Sequence, residues 1–311
     1  MKVNPIYTSN IIKKGLEFAA DNSALFAAGT TLVLSTAIRP LSILATPNTD
    51  KENKKIACAK SISSSAIGYL LMLAVSRPFA KSIKAINQNP QKFLKQETIK
   101  NLKDGSRTLA KSKAYMLATQ IFKLGLGFII AAPKAVITAL GVPVAMKLFK
   151  NKETQNHTGQ PTFTGRNQTL SRGIAKILDN PKYQEFAKRF KDSNFPMHII
   201  AGTDALATAT FVSQTQKSTK IPNERKKPLI HNAIISTGLS IGTSYVVDKL
   251  LNKPTEKFIQ KFKEINKGSA KLSKYVEGIR IAKPILIMGG IYYTIIPVIS
   301  TFLADRTAKN N

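Results

Sequence analysis

Long stretches without charge constrain this chain more than any other feature of its sequence. Five approach the length of a membrane crossing: residues 22–38, 61–76, 124–146, 228–247 and 284–304, with Lys134 as the one charge inside the third. A sixth stretch, 195–216, carries Asp204 near its centre. A transmembrane helix needs about 20 predominantly apolar residues. The stretches therefore predict helices embedded in a membrane or, as the alternative, the core helices of a large soluble bundle.

The segments between these stretches are basic, and their apolar residues recur with helical spacing. This pattern covers residues 92–103, 107–122, 172–190 and 258–274. Asp104-Gly105 and Asn180-Pro181 are the predicted breaks between such helices. No alternating pattern is long enough to predict a strand. The expected fold class is all-α, a helical membrane bundle.

The order of these features repeats within the chain. Three matched pairs show it: Gly29-Thr30 with Gly202-Thr203, Lys54-Lys55 with Lys226-Lys227, and Arg77-Pro78 with Lys253-Pro254. Recurrence of several features in one order indicates an internal repeat. The sequence therefore predicts two homologous three-segment units, residues 1–150 and 169–311, joined by a polar linker at 151–168.

The distribution of positive charge predicts which loops share a side of the membrane. If all six stretches cross, the two sides hold 21 and 25 Lys and Arg, which is no asymmetry. If residues 124–146 and 284–304 instead enter the membrane and return to the same side, the two sides hold 36 and 10 Lys and Arg. Pro133 and Pro297 are the candidate helix-bend positions in those segments. We expect four crossings of the cytoplasmic membrane with both termini in the cytoplasm, and six crossings remain the alternative.

Residues suited to catalysis or metal binding are few. Cys58 is the single cysteine, and the three histidines do not cluster with other ligands, so no metal or other cofactor is expected. The sequence has no phosphate-binding loop, dinucleotide fingerprint or nucleophile elbow, so an enzyme is not expected.

Asp204 is the one candidate site residue, because an ionisable group in an apolar stretch usually faces a bundle interior or a water path. One hypothesis is a proton or ion path formed by Asp204 with His231. The structural alternative is an Asp204 side chain bound by neighbouring Thr and Ser hydroxyls, or one that lies in a polar groove.

The net charge of +30 arises from 47 Lys and Arg against 17 Asp and Glu. Such a charge suits nucleic acid, but the basic residues are spread over every polar connection and no nucleic-acid-binding motif occurs. Basic helices beside apolar stretches indicate anionic lipid headgroups as the partner instead.

Three function classes follow from these patterns. A structural or scaffolding membrane protein is favoured, because it requires no site. A channel or secondary transporter with Asp204 in its permeation path is the second class, and a soluble basic helical binding module is the third.

Part of the second half of the chain resembles uncharacterised multi-pass membrane proteins of gut-associated bacteria. The residues that carry the resemblance are Thr162-Phe163-Thr164-Gly165, the segment Ile174-Ala175-Lys176-Ile177-Leu178-Asp179, and residues 289–304. The resemblance covers roughly residues 162–303 and implies a bacterial membrane protein. It implies no activity and no functional residue.

Overall fold

The computed structural model describes residues 5–45, 51–148, 167–219, 221 and 223–309, which form helices and short connections without strands. The all-α prediction is therefore confirmed for this part of the chain. The helices are α1 Pro5–Thr8, α2 Asn10–Asp21, α3 Ser23–Val33, α4 Arg39–Leu44, α5 Lys51–Gln88, α6 Pro90–Phe93, α7 Gln96–Lys103, α8 Lys113–Leu148, α9 Asn167–Leu178, α10 Pro181–Phe190, α11 Phe195–Lys217, α12 Asn223–Ile265 and α13 Leu272–Lys309. The predicted linker 151–168 lies outside the described residues except for its last two, which begin α9.

Both predicted helix breaks are present. Asp104 adopts the left-handed conformation (φ 49°) directly after α7, and Gly105 follows it with φ 76°. Asn180 begins α10, and its side-chain oxygen accepts a hydrogen bond from the backbone N–H of Lys182 at 2.9 Å. Residues 107–112 differ from the predicted helix, because only a short 3₁₀ turn, Leu109–Lys111, precedes α8.

Two of the uncharged stretches, 22–38 and 61–76, end at basic–proline pairs. Helices continue through such pairs, because Pro78 lies inside α5 and Pro254 lies inside α12. Before Pro40 the chain forms a π-helical turn, Leu34–Ile38, which leads into α4. Proline lacks an N–H and its ring clashes with the carbonyl four residues earlier, so a wider turn lets the helix continue with a local adjustment.

The helices of the first half pack as an antiparallel series. Across the turn between α4 and α5, Lys54 Nζ donates a hydrogen bond to the carbonyl oxygen of Leu44 at 3.1 Å. Between α5 and α8, Tyr115 Oη donates to Asn87 Oδ1 at 2.5 Å. Therefore α5 runs opposite to both α3–α4 and α8.

The second half has the same order of directions. Lys226 Nζ donates to the carbonyl oxygen of Gln216 at 3.2 Å, across the turn between α11 and α12. Between α12 and α13, Lys283 pairs with Asp248 at 2.9 Å and Arg280 pairs with Glu256 at 3.3 Å, so the order along one helix is reversed along the other. Therefore α12 runs opposite to both α11 and α13.

Each half packs its last helix against the first helices of the other half. Along α8 and α11, Lys113 pairs with Asp192 at 2.6 Å, and a Cβ on Gly127 would lie 2.9 Å from Thr203 Cγ2. Along α13 and α2–α3, Lys274 pairs with Asp21 at 2.6 Å, and Gly289 lies against Leu34. The order of these contacts shows that α3, α8, α11 and α13 all run in one direction.

The two ends of the bundle differ in structure. At one end, where α3 and α11 begin, the short helices α2, α6, α7, α9 and α10 surround the long ones. Most of the large buried cluster that includes Ile83, Ile86, Leu102 and Leu178 lies there. We call it the basic end, because Lys and Arg are concentrated on these short helices. The opposite end carries the turns between α4 and α5 and between α11 and α12.

Exposed apolar side chains encircle the middle of the bundle. They come from all six of its long segments: Val33, Leu41, Leu70, Phe128, Ile129, Leu206, Ile234, Val246, Leu286 and Ile295. Val33 and Leu70 are 62% and 63% exposed, so their side chains lie on the surface of the bundle and not at the edge of its core. We call this set the apolar belt. An exposed apolar surface of this kind marks contact with lipid or with another protein.

Four helical segments are long and apolar enough to cross a membrane: Ser23–Leu44, Ser61–Gln88, Lys113–Lys134 and Leu272–Pro297. The first two agree with predicted crossings. The other two lie in α8 and α13, the third segments of each half, which we expected not to cross completely. The more polar α11 and α12 are not among the candidate spans found in the described residues.

Candidate functional site

Charged side chains meet inside the apolar belt, between the outer halves of the long helices. The guanidinium carbon of Arg39, on α4, lies 4.7 Å from the ring centroid of Tyr292 and 5.6 Å from that of Tyr293, both on α13. The Arg39 Nε atom is buried and has no hydrogen-bond partner. The aromatic faces supply cation–π attraction, but they leave this donor unsatisfied.

Lys134 enters the same region from α8. Its side chain crosses α5 at Gly68, where a Cβ would lie 2.8 Å from Lys134 Cε. A residue larger than glycine at position 68 would therefore displace the lysine. Asp204 and Tyr292 lie within electrostatic range of Lys134, and Tyr292 also lies beside Arg39. We call Arg39, Lys134, Asp204, Tyr292 and Tyr293 the central cluster.

Asp204 supplies the one acidic group of the central cluster. It is exposed on α11, and Lys134 is the charged group that acts on it. Within the described part of the chain, no ion pair within 4 Å and no hydrogen bond joins Asp204 to another residue. Asp204 therefore faces Lys134, whereas the neighbours of Arg39 are Tyr292 and Tyr293.

The structure does not bring Asp204 and His231 together. Helices α11 and α12 pair His198 with Tyr245 and Thr208 with Thr237. This register places Asp204 level with residues near 240, about nine residues from His231, which is about 14 Å along the helix axis. A path that uses both residues would need other groups between them.

His198 is separate from the central cluster, whereas Cys58 lies near it. His198 Nδ1 lies 2.5 Å from Tyr245 Oη, and His157 lies outside the described residues. Cys58 is half-buried and lies within electrostatic range of Arg39. In the described ranges, no group of three His, Cys, Asp or Glu side chains could hold a metal ion.

The two predicted bend positions lie within continuous helix. Pro297 is inside α13, which extends to Lys309, and Pro133 is inside α8, which extends to Leu148. Neither proline ends its helix. Pro133 is adjacent to Lys134 of the central cluster, and a bend at either proline stays a prediction.

Two buried ion pairs lie below the central cluster, towards the basic end. Lys123 Nζ lies 3.4 Å from Glu277 Oε1 and donates to the carbonyl oxygen of Ala20 at 2.6 Å. Lys283 Nζ lies 2.9 Å from Asp248, whose side chain is 4% exposed. Each lysine therefore has a carboxylate partner within 4 Å. These pairs join α8 to α13 and α12 to α13.

A groove of about 320 Å³ opens at the surface of the basic end, between α6 and α9. Four cationic side chains line it: Lys92, Lys95, Arg172 and Lys176. The acidic residue of its lining, Asp179, already accepts hydrogen bonds from the backbone N–H of Lys95 at 3.1 Å and from Thr98 Oγ1 at 2.6 Å. The groove is therefore strongly cationic.

Sequence reasoning missed Arg39, Tyr292 and Tyr293 as site residues and treated Lys134 only as an interruption. One signal in the sequence could have found the two cations. Arg39, Lys134 and Asp204 are charges inside or at the margin of otherwise uncharged stretches. Charges in such positions require partners, and asking which of them pair would have brought the three together.

Comparisons of the chain with protein-family models, with curated proteins and with solved structures give no match.

Proposed function

We propose that this protein is a non-enzymatic, membrane-embedded helical scaffold whose basic end contacts anionic lipid headgroups. One observation carries the proposal: the apolar belt and the basic end occupy successive levels along the same bundle axis. Lipid chains would cover the belt, and headgroups would meet the Lys and Arg residues next to it. The four apolar candidate spans support an embedded bundle.

The magnitudes favour this arrangement. Fully burying a large apolar side chain is worth about 1.5–3 kcal/mol, so leaving the ten belt residues in water would be costly. Each basic residue near an anionic surface adds about 1 kcal/mol at physiological salt. The groove formed by Lys92, Lys95, Arg172 and Lys176 would bind one headgroup phosphate more closely than isolated surface lysines do.

We infer that the two halves are duplicated units that lie the same way up. Lys54 to Leu44 and Lys226 to Gln216 are equivalent contacts at positions matched by the sequence repeat. Helices α3 and α11, which begin the matched units, run in the same direction. Helix α8 of the first half packs against the second half, and α13 of the second half packs against the first. This reciprocal packing supports a two-fold axis along the bundle rather than across it.

This arrangement bears on the number of crossings. The chain leaves α8 at Leu148 and has returned to the basic end by Asn167, where α9 packs against the end of α5. We therefore propose that α9 and the amino terminus lie on one side of the membrane, which requires an even number of crossings between them.

Two measurements test the embedded scaffold. Alkaline carbonate should leave the protein in the membrane pellet, and release into the supernatant would make it a soluble basic bundle. In nanodiscs, 30% phosphatidylglycerol should raise the melting temperature above that in pure phosphatidylcholine, and 0.5 M salt should reduce the difference, because anionic headgroups attract the basic end. Lys92→Gln/Lys176→Gln should reduce this rise more than Lys217→Gln/Lys227→Gln at the opposite end. Equal effects of the two pairs would reject the groove as a headgroup site.

The central cluster favours a second function, that of a channel or secondary transporter. Its three charges lie at the level of the belt, where charge is otherwise costly. Proteoliposomes should then conduct protons or small ions, and Asp204→Asn should abolish the flux. If the wild-type protein conducts no ions, the transport function is rejected and the scaffold remains the proposed function.

A further inference from the structure

Polar side chains recur at every fourth position of α12 and form a line along this helix. They are Asn232, Ser236, Ser240, Ser244, Asp248 and Asn252, and we call them the polar line. The members from Ser236 to Asp248 are buried, whereas Asn232 is half-buried and Asn252 is exposed. The twenty residues from Asn232 to Asn252 rise by about 30 Å, which is the thickness of the hydrocarbon core of a bilayer. The polar line is therefore buried along most of its length and reaches the surface at the basic end.

The other side of α12 is apolar and exposed. Ile234 and Val246, two residues of the apolar belt, are 51% and 61% exposed. A helix on the surface of a soluble protein has the opposite arrangement, with its apolar side buried and its polar side in water. The polar side chains of α12 therefore face the interior of the bundle at the level where its exterior is apolar.

Two hydroxyl groups of the polar line have no partner. A hydroxyl within a helix often donates to the carbonyl oxygen four residues earlier, as Thr203 does to Ile199 at 2.8 Å. Ser240 Oγ and Ser244 Oγ are buried and have no hydrogen-bond partner within the part of the chain that the structure describes. Buried polar atoms of this kind are normally satisfied by ordered water. We therefore expect water molecules along the polar line.

The spacing of the line suits one water molecule between successive side chains. Residues four apart on a helix are separated by about 6 Å along its axis. A water molecule that bonds to two hydroxyls at about 2.8 Å each bridges up to about 5.6 Å. Ser236 Oγ already donates to Asn232 Oδ1 at 3.3 Å, so the first step of the line is joined directly.

The line ends at the buried ion pair of Asp248 and Lys283. Asp248 Oδ1 lies 2.9 Å from Lys283 Nζ, and the other carboxylate oxygen accepts a hydrogen bond from the side chain of Asn194. Lys283 also donates to the side chain of Asn252, which is exposed at the basic end. The ion pair therefore connects the buried part of the polar line to the surface.

We propose that the polar line, with water molecules between its hydroxyls, conducts protons across the apolar belt. The path rests on the embedded bundle of the proposed function, and it differs from a route through Asp204, which lies on α11. Each oxygen of the line accepts a proton from one neighbour and passes another to the next. At the basic end, Lys283 releases one proton to water beside Asn252 and regains one through Asp248. One proton crosses the belt, and every group returns to its starting state.

The test uses the full chain in phosphatidylcholine liposomes that enclose a pH-sensitive dye. A potassium gradient with valinomycin drives protons inward, and flotation after an alkaline carbonate wash shows which liposomes hold embedded protein. The wild type should acidify the interior several-fold faster than empty liposomes. Ser240→Val and Ser244→Val, which replace a hydroxyl by methyl groups, should each lower the rate to that of empty liposomes. Thr243→Val is the matched control, because Thr243 lies on α12 outside the polar line, and it should retain the flux.

A double alanine variant provides a test that adds no volume to the core. Ser240→Ala/Ser244→Ala leaves about 18 Å of α12, from Ser236 to Asp248, without a hydroxyl of the line. It should lose most of the flux, and it decides the question if the valine variants do not fold. Asp204→Asn should retain the flux.

The outcomes separate this path from the function on which it rests. Protein that does not float with the liposomes would reject the embedded bundle and the path together. Embedded wild-type protein that acidifies no faster than empty liposomes would overturn the path alone. A flux that the serine variants retain, or that Asp204→Asn abolishes, would overturn the proposal in favour of a route through the central cluster.

Discussion

Lys54 donates a hydrogen bond to the carbonyl oxygen of Leu44, the last residue of the helix before its own. Lys226 makes the same contact with Gln216, also ten residues earlier, at the end of α11. The last carbonyls of a helix have no donor within the helix, and a lysine from the next helix satisfies one of them. The two contacts have the same spacing along the chain, and each joins the end of one helix to the beginning of the next.

Removing either lysine should have the same effect. Lys54→Met and Lys226→Met should each lower the free energy of unfolding by about 0.5–1.5 kcal/mol, the usual net value of one hydrogen bond. Lys55→Met and Lys227→Met change the neighbouring exposed lysines and should have little effect. Denaturant titration in detergent measures all four. A loss at only one of the two matched positions would argue against equivalent turns.

Among the glycines that the structure describes, Gly278 is the least able to accept a side chain. A Cβ there would lie 2.1 Å from the carbonyl oxygen of Leu16, because α13 passes directly over the backbone of α2. Gly278→Ala should cost about 1–3 kcal/mol from overpacking, despite the better helix propensity of alanine. Gly125→Ala is the control, because its Cβ meets nothing within 4 Å, and it should be neutral or stabilising. A stable Gly278→Ala variant would contradict the contact between α2 and α13.

The ion pair between Lys283 and Asp248 should show strong coupling. Lys283→Met leaves a buried carboxylate without its cation and should cost about 3–5 kcal/mol. Adding Asp248→Asn should recover part of the lost free energy of unfolding, because the double variant has no unpaired charge. A double-mutant cycle on the free energy of unfolding measures the coupling. Strictly additive losses would mean that the two side chains do not interact.

Glu17 links stability to pH at the basic end. Its carboxylate lies 2.8 Å from Lys271 Nζ and 3.5 Å from Lys274 Nζ. The hydrogen bond from Lys271, with the charge of Lys274, holds the pKa of Glu17 below its ordinary value of 4.5. A lowered pKa means that the stabilisation is present above pH 4.5 and is lost as the pH falls through the folded-state pKa.

Glu17→Gln should therefore be less stable than the wild type at pH 7, by less than about 1 kcal/mol because the pair is partly exposed. The difference should shrink as the pH falls below 4.5. Thermal unfolding of both proteins between pH 3 and pH 7 measures it. A difference that stays constant across this range would show that Glu17 acts through packing and not through its charge.

The local features of the fold could be predicted from the sequence. Asp104-Gly105 and Asn180-Pro181 break helices because their own backbone preferences suffice, whatever surrounds them. The basic–proline pairs could not be interpreted in this way. Pro78 costs α5 one hydrogen bond, but the packing of the residues on both sides of it keeps the helix continuous.

The central cluster depends on packing between distant segments. Arg39 meets Tyr292 because α13 packs on the first half of the chain, and Lys134 fits because Gly68 leaves room on α5. Neither contact has a signature at short sequence separation. The parallel directions of α8 and α11 were likewise beyond sequence patterns, since hydrophobic periodicity defines a helix but not its neighbour.

The central claim is that the two halves lie the same way up in a membrane, and the positions of three loops test it most directly. Single cysteines are placed at Thr8, Ser193 and Thr219 in a Cys58→Ser background, and intact cells are treated with an impermeant maleimide. Thr8 and Ser193 lie at the basic end, and Thr219 lies in the turn between α11 and α12 at the other end. We expect labelling at Thr219 alone, with Thr8 and Ser193 labelled only after lysis. Labelling of Ser193 but not Thr8 in intact cells would contradict the claim, because it would place the two halves in opposite orientations.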